Sequence, residues 1–171
     1  MYRIIILLSL TVLLSLVQAC AQKGPYVSDK GRFSINLRVT PEEDKNSAEA
    51  SLGGKKLWWR TQRASFMVSY VDKPDAKKED AMATVEASAD GYITAIPKAA
   101  QVVGRKTIAI GGHPGIEVQS REKDGYTAVT RYYMVEKRLY CVMALWTAGP
   151  DDGDVLQTLD SFKVNPPAST N

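Results

Sequence analysis

Apolar and polar side chains alternate through much of the second half of the chain. The segments KTIAI, GIEVQS, YTAVTRYYMVEK and RLYCVMALW each carry the two-residue period of a strand with one face against a core. Turn-forming runs separate them (GGHPG, KDGY and EKR), so the four read as an antiparallel meander. Upstream, FSINLRV sets Phe33, Ile35, Leu37 and Val39 against Ser34, Asn36 and Arg38, which predicts a half-buried strand over 33–39. KKLWWRTQ and SFMVSYVD predict an antiparallel pair in which Phe66, Val68 and Tyr70 share a face. Between these regions TPEEDKNSAEASLGG has no apolar period and reads as a surface loop.

Two segments change period. In KPDAKKEDAMATVEASADGYI, Met82, Val85 and Ala89 fall at helical spacing, with Pro74 and Asp75 as a start and Gly91 as a stop, which predicts a helix of about fifteen residues. DDGDVLQTLDSF places Val155, Leu156, Leu159 and Phe162 on one helical face behind an Asp cap. An antiparallel sheet of about six to seven strands with helices laid on it is an α+β domain.

The beginning of the chain follows neither period. Met1, Tyr2 and Arg3 make a short basic start, and Ile4 to Val17 is Ile, Leu and Val apart from Ser9, Thr11 and Ser15. That run is shorter than the roughly twenty residues a spanning helix needs, so it reads as a secretory signal peptide over 1–19. Removing it leaves 152 of the 171 residues, enough for one domain with a proper core. Residues 20–30 read as a short linker, because AQKGPYVSDK is polar and Gly24 and Pro25 oppose regular structure. Ten extended residues reach about 35 Å at most. The domain is expected over 31–164 and a frayed tail over 165–171.

The end of the signal is more specific than its core. LVQAC resembles the lipobox of bacterial lipoproteins, with Leu16 and Val17 apolar, Ala19 small and Cys20 at the obligatory position. The resemblance implies cleavage between Ala19 and Cys20, a diacylglyceryl group on the Cys20 thiol and acylation of the new amino group. A partner then follows directly, the membrane that holds those acyl chains. Ala21, where an Asp would favour retention at the inner membrane, implies the periplasmic face of the outer membrane in a Gram-negative cell. Without the resemblance, VQA is an A-x-A-like cleavage site ahead of a coincidental cysteine.

A second resemblance runs through the mature chain. GRFSINL, SYVDKP leading into a helix, GHPGIE, RYYMVEKRLYCV and LQTLDSFKV, in that order, look like the PsbP-like group over about Gly31 to Val164. It implies an antiparallel sheet sandwiched by helices and a habit of binding or assembly in place of catalysis. No specific partner is carried over.

Charge and cysteine content narrow the alternatives. The formal net charge of +3 falls to +2 once Arg3 leaves with the signal, too mild and dispersed for a nucleic-acid binder. Cys141 is then the one unlipidated cysteine, and its alternation with Leu139, Met143 and Leu145 predicts a buried, inert thiol. His113 is the single histidine, and a general base or metal ligand built from His113 and Glu117 would lie across a Pro-Gly turn that holds them poorly. Gly111, Gly112, Pro114 and Gly115 are explained by a hairpin alone. No phosphate-loop spacing and no G-x-S-x-G elbow occurs, and DDGD lacks the spacing of a calcium loop, so neither a metal nor a cofactor is implied.

Trp58 and Trp59 are the most informative pair. Adjacent strand positions face opposite ways, so one ring fills the core and the other meets solvent or a partner, unless the sandwich covers both. With Arg60 and Arg63 beside them, and Lys55 and Lys56 before them, they form a candidate binding patch of aromatic anchor and cationic rim. The sequence therefore predicts a non-catalytic, membrane-anchored envelope lipoprotein that binds another envelope protein. A small hydrolase or metal enzyme around His113 and Glu117, or a small-ligand carrier, is the alternative.

Overall fold

The structure is a computed structural model and describes residues 24–37, 39–122, 124–149 and 152–166. The signal segment, with Ala19 and Cys20, lies outside the described residues. Ten strands can be followed in chain order among the described residues: β1 (Tyr26–Ser28), β2 (Phe33–Ile35), β3 (Glu42–Glu43), β4 (Lys55–Arg60), β5 (Ala64–Asp72), β6 (Gln101–Ile110), β7 (His113–Arg121), β8 (Tyr126–Val135), β9 (Arg138–Thr147) and β10 (Lys163–Val164). Three helices join them: α1 (Ala48–Ser51), α2 (Ala81–Ala95) and α3 (Asp152–Asp160). A seven-stranded antiparallel sheet runs in the order β3-β4-β5-β9-β8-β7-β6, and a three-stranded sheet in the order β1-β2-β10. The architecture is α+β.

Strand β9 shows why both faces of the large sheet are apolar. Arg138, Tyr140, Val142, Ala144 and Trp146 are buried on one side, and Leu139, Cys141, Met143 and Leu145 are half-buried on the other. The first side is closed by the small sheet and α3, which bring Phe33, Ile35, Val155, Leu159 and Phe162 onto Phe66, Val68, Tyr140 and Val142. On the second side Val85 and Ala89 of α2 pack against Ile116, Val118 and Met134. Alternation with apolar residues at both phases is what a sheet covered on two sides requires.

Aromatic rings join the two sheets. Phe33 is fully buried, with ring centroids of Phe162 at 5.4 Å, Tyr26 at 6.1 Å, and Tyr70 and Tyr140 both at 6.5 Å. The Tyr140 hydroxyl donates to the Gly31 carbonyl at 2.7 Å. Arg138 closes the same corner, donating to both carboxylate oxygens of Asp72 at 2.6 and 2.8 Å and to the Lys30 carbonyl at 2.7 Å. Its guanidinium also lies 4.6 Å from the Tyr70 ring centre.

Several elements differ from the sequence-based expectation. The strand expected over 33–39 pairs only as far as Ile35, because the Asn36 amide donates to the Ser161 hydroxyl at 2.9 Å and leaves the ladder. The expected linker over 20–30 contains β1, so the domain begins by Tyr26, and Asn165 of the expected tail donates its amide to the Arg32 carbonyl. The expected loop after Thr40 holds β3 and α1, with Ser47 capping α1 through its hydroxyl. Helix α2 starts at Ala81 after a 3-10 turn over Lys78–Asp80 and runs through Gly91. It stops at Ile96, in extended backbone before Pro97, which disfavours helix in the residue ahead of it. In α3, Leu156 is exposed while Val155 and Leu159 face the core.

The expected hairpin at GGHPG forms with Gly111 and Gly112 at φ of +54° and +81°, the positive pair that a two-residue turn of this hand demands. Gly115 does a different job. A Cβ there would lie 2.5 Å from Tyr133 Cδ1 and 2.6 Å from the Tyr132 carbonyl oxygen, so the glycine permits close packing inside the sheet. Gly115→Ala is expected to destabilise the domain by about 1–3 kcal/mol through overpacking, read as a lower urea midpoint with an unchanged m-value.

Candidate functional site

The register of β4 decides the two tryptophans. Trp59 is buried, 4% exposed, and its ring stacks on Phe66 with centroids 5.2 Å apart. Trp58 takes the opposite face, half-buried, with the Arg60 guanidinium 5.4 Å from its ring centre. Trp58 pairs with Met67 and Met67 with Met143, while Arg60 pairs with Ser65 and Ser65 with Leu145. Trp58, Met67, Met143 and Leu145 are all half-buried. They form an apolar strip across three strands, next to the half-buried Cys141. Helix α1 packs on β4 and β5, and α2 on β7 and β8.

The expected patch of Trp58, Trp59, Arg60 and Arg63 is therefore divided by the sheet. Trp58 and Arg60 share one face. Trp59 and Arg63 line a cleft of about 1030 Å³ on the other side, together with Leu37, Phe66, Val155 and Gln157. The cationic rim is also thinner than its sequence implies, since Lys55 meets Glu43 at 2.6 Å and Lys56 meets Asp44 at 3.6 Å. The two methionines and Leu145 were not legible as site residues, although the strand period placed Met143 and Leu145 together. The pairing of β4 with β5 was legible; that of β5 with β9 was the missing step.

His113 and Glu117 are not brought together. They lie four residues apart on β7, roughly 13 Å along a strand. Glu117 instead accepts from Arg131 at 2.8 Å and meets Lys106 at 2.9 Å, and Arg131 also pairs with Asp160 at 2.7 Å. Burial pushes the Glu117 carboxyl up, but the hydrogen bonds and charges of Lys106 and Arg131 outweigh it, and the net shift is downward. This carboxylate stays ionised and occupied.

Burial pushes the Cys141 thiol up to about 12, so it is protonated and unreactive at neutral pH. It is half-buried on the strip side, shallower than the alternate side of β9. Asp152, the first residue of α3, accepts from the Trp146 indole at 2.8 Å and from the Gly149 amide at 2.9 Å. Among the described residues no three His, Cys, Asp or Glu side chains converge as metal ligands would.

No family model and no curated protein sequence matches the chain. Solved structures do. The cyanobacterial PsbP protein CyanoP from Synechocystis sp. PCC 6803 is similar with a TM-score of 0.51 and 11% identity, over 82% of this chain and 91% of that one. A Bacteroides thetaiotaomicron VPI-5482 protein is similar with a TM-score of 0.51 and 12% identity, over 85% of this chain. This chain spans about half the length of the Bacteroides protein, 49%. At this identity the likeness is one of fold, and it is PsbP-like.

Two expectations follow from this geometry. Trp59→Ala should cost about 3–5 kcal/mol, as for a large buried ring, whereas Trp58→Ala should cost about 1 kcal/mol, near the worth of its exposed cation–π contact, both by urea unfolding. Because the Glu117 pKa is depressed on folding, its contribution is present above the unfolded carboxylate pKa and lost as pH falls through the folded value. Glu117→Gln should destabilise by about 1.5–3 kcal/mol at neutral pH and flatten the acid limb of the stability profile.

Proposed function

We propose that this protein is an exported, non-catalytic binding module, lipid-anchored through Cys20, that presents the open sheet face around Trp58 to another envelope protein. One observation carries the reading: the half-buried strip of Trp58, Met67, Met143 and Leu145 lies on the rigid centre of the sheet with Arg60 stacked at its margin. Tryptophan and arginine are the residues in which binding energy concentrates, and methionine adapts to a partner's contour. The PsbP-like fold and the LVQAC sequence support the reading. The Ala21 position favours the periplasmic face of an outer membrane.

A small-ligand carrier is the second reading, and the cleft beside Trp59 favours it. Native mass spectrometry of the purified protein would reveal a retained molecule. The enzyme reading lacks its pair, since His113 and Glu117 are set apart and Glu117 is held by two cations.

In-cell crosslinking with mass spectrometry separates these. The binding module predicts that one envelope protein crosslinks to the native form and is lost in folded Trp58→Ala. Capture of the same proteins by both forms would reject the strip as the recognition surface.

A further inference from the structure

We infer that the corner of the domain around Val27, Val39 and Arg63 is seated on the headgroup layer of the membrane that holds Cys20. This rests on the lipid-anchor reading above. Gly24 follows Cys20 by four positions, so the two Cα atoms are at most about 14 Å apart. Headgroup layers add only about 5–8 Å on each side of the hydrocarbon core. The part of the domain nearest Gly24 is thus held at the bilayer surface by tether length alone.

What surrounds Gly24 fits that surface. Gly24, Pro25, Val27, Leu37, Val39 and Thr40 line one shallow depression. Val27 is 53% exposed and Val39 39% exposed, two of the large apolar side chains that the fold leaves in water. Gly24 also borders the neighbouring cleft together with Arg63, on the β4–β5 turn. The pairing of Glu42 with Trp58 runs the chain before Glu42 beside the Arg60 end of β4. Exposed valines with Arg63 beside one chain entry point match an interface of acyl boundary and phosphate.

The opposite end of the sheet supplies the contrast. Glu136 and Lys137 form the exposed turn between β8 and β9, about 30 Å along ten-residue strands from the Arg63 end. Seated this way, the large sheet stands on its end, and the Trp58 strip faces sideways along the membrane plane. A membrane-embedded neighbour is then within its reach.

The test uses the full chain, expressed with its own leader and reconstituted in phosphatidylethanolamine–phosphatidylglycerol vesicles carrying a headgroup quencher. In a Cys141→Ala background, Val39→Cys, Val27→Cys and Lys137→Cys are each labelled with a small fluorophore. The expected result is loss of fluorescence at positions 39 and 27, none at 137, and weaker loss at 39 when Arg63→Glu is added. Equal quenching at 39, 27 and 137 in protein whose intact mass shows an acylated Cys20 overturns the seating alone. An intact mass without acyl groups overturns the anchor and the seating together.

Discussion

The fold depends on one aromatic ring placed between two sheets. Phe33 is fully excluded from water and touches rings contributed by the first strand, by β5, by β9 and by the segment after α3. Without it the three-stranded sheet would lose its central anchor on the large one, and the face built from Phe66, Val68 and Val142 would loosen. The bidentate Arg138–Asp72 pair and the Tyr140–Gly31 hydrogen bond fix the polar edge of that same contact. Burial supplies the energy there, and the hydrogen bonds supply the register.

How much of this was legible depended on element length. The long strands β7, β8 and β9 carry enough alternating positions to declare themselves, and so does the α2 face of Val85 and Ala89. Strands β1, β3 and β10 have two or three residues each, too few for a period, and exist because a partner strand is already in place. Gly91 misled because its surroundings are open: nothing lies within 4 Å of a Cβ added there, so the helix passes through at only a modest propensity cost. The end of α2 was written two positions ahead of Pro97, in a signal weaker to the eye than glycine.

The candidate site was half legible for a related reason. Alternation separates Trp58 from Trp59 but does not say which face is closed, since the large sheet has apolar side chains on both. Only the placement of the small sheet and α3 over one face, against the partial cover of α1 and α2 on the other, assigns Trp59 to the core. The two faces thus differ: one carries the interior that holds the domain together, and the other a half-buried apolar strip across β4, β5 and β9. His113 and Glu117 were close in sequence and remain apart in space, because an extended strand maximises the distance between positions four residues apart.

The small sheet has a consequence for how the chain is made. Strand β2 lies between β1 and β10, and its pairing partners Val164 and Lys163 are among the last residues of the domain to be synthesised. An early hairpin can form from β1 and β2, but its outer edge stays unsatisfied while the meander is still being delivered. A chain emerging from its N-terminus therefore carries an open strand edge and an uncovered Phe33 until its last segment arrives, and compaction waits for that segment. Such high contact order makes folding slow, and makes whatever shields that first hairpin until then part of the protein's route to its native state.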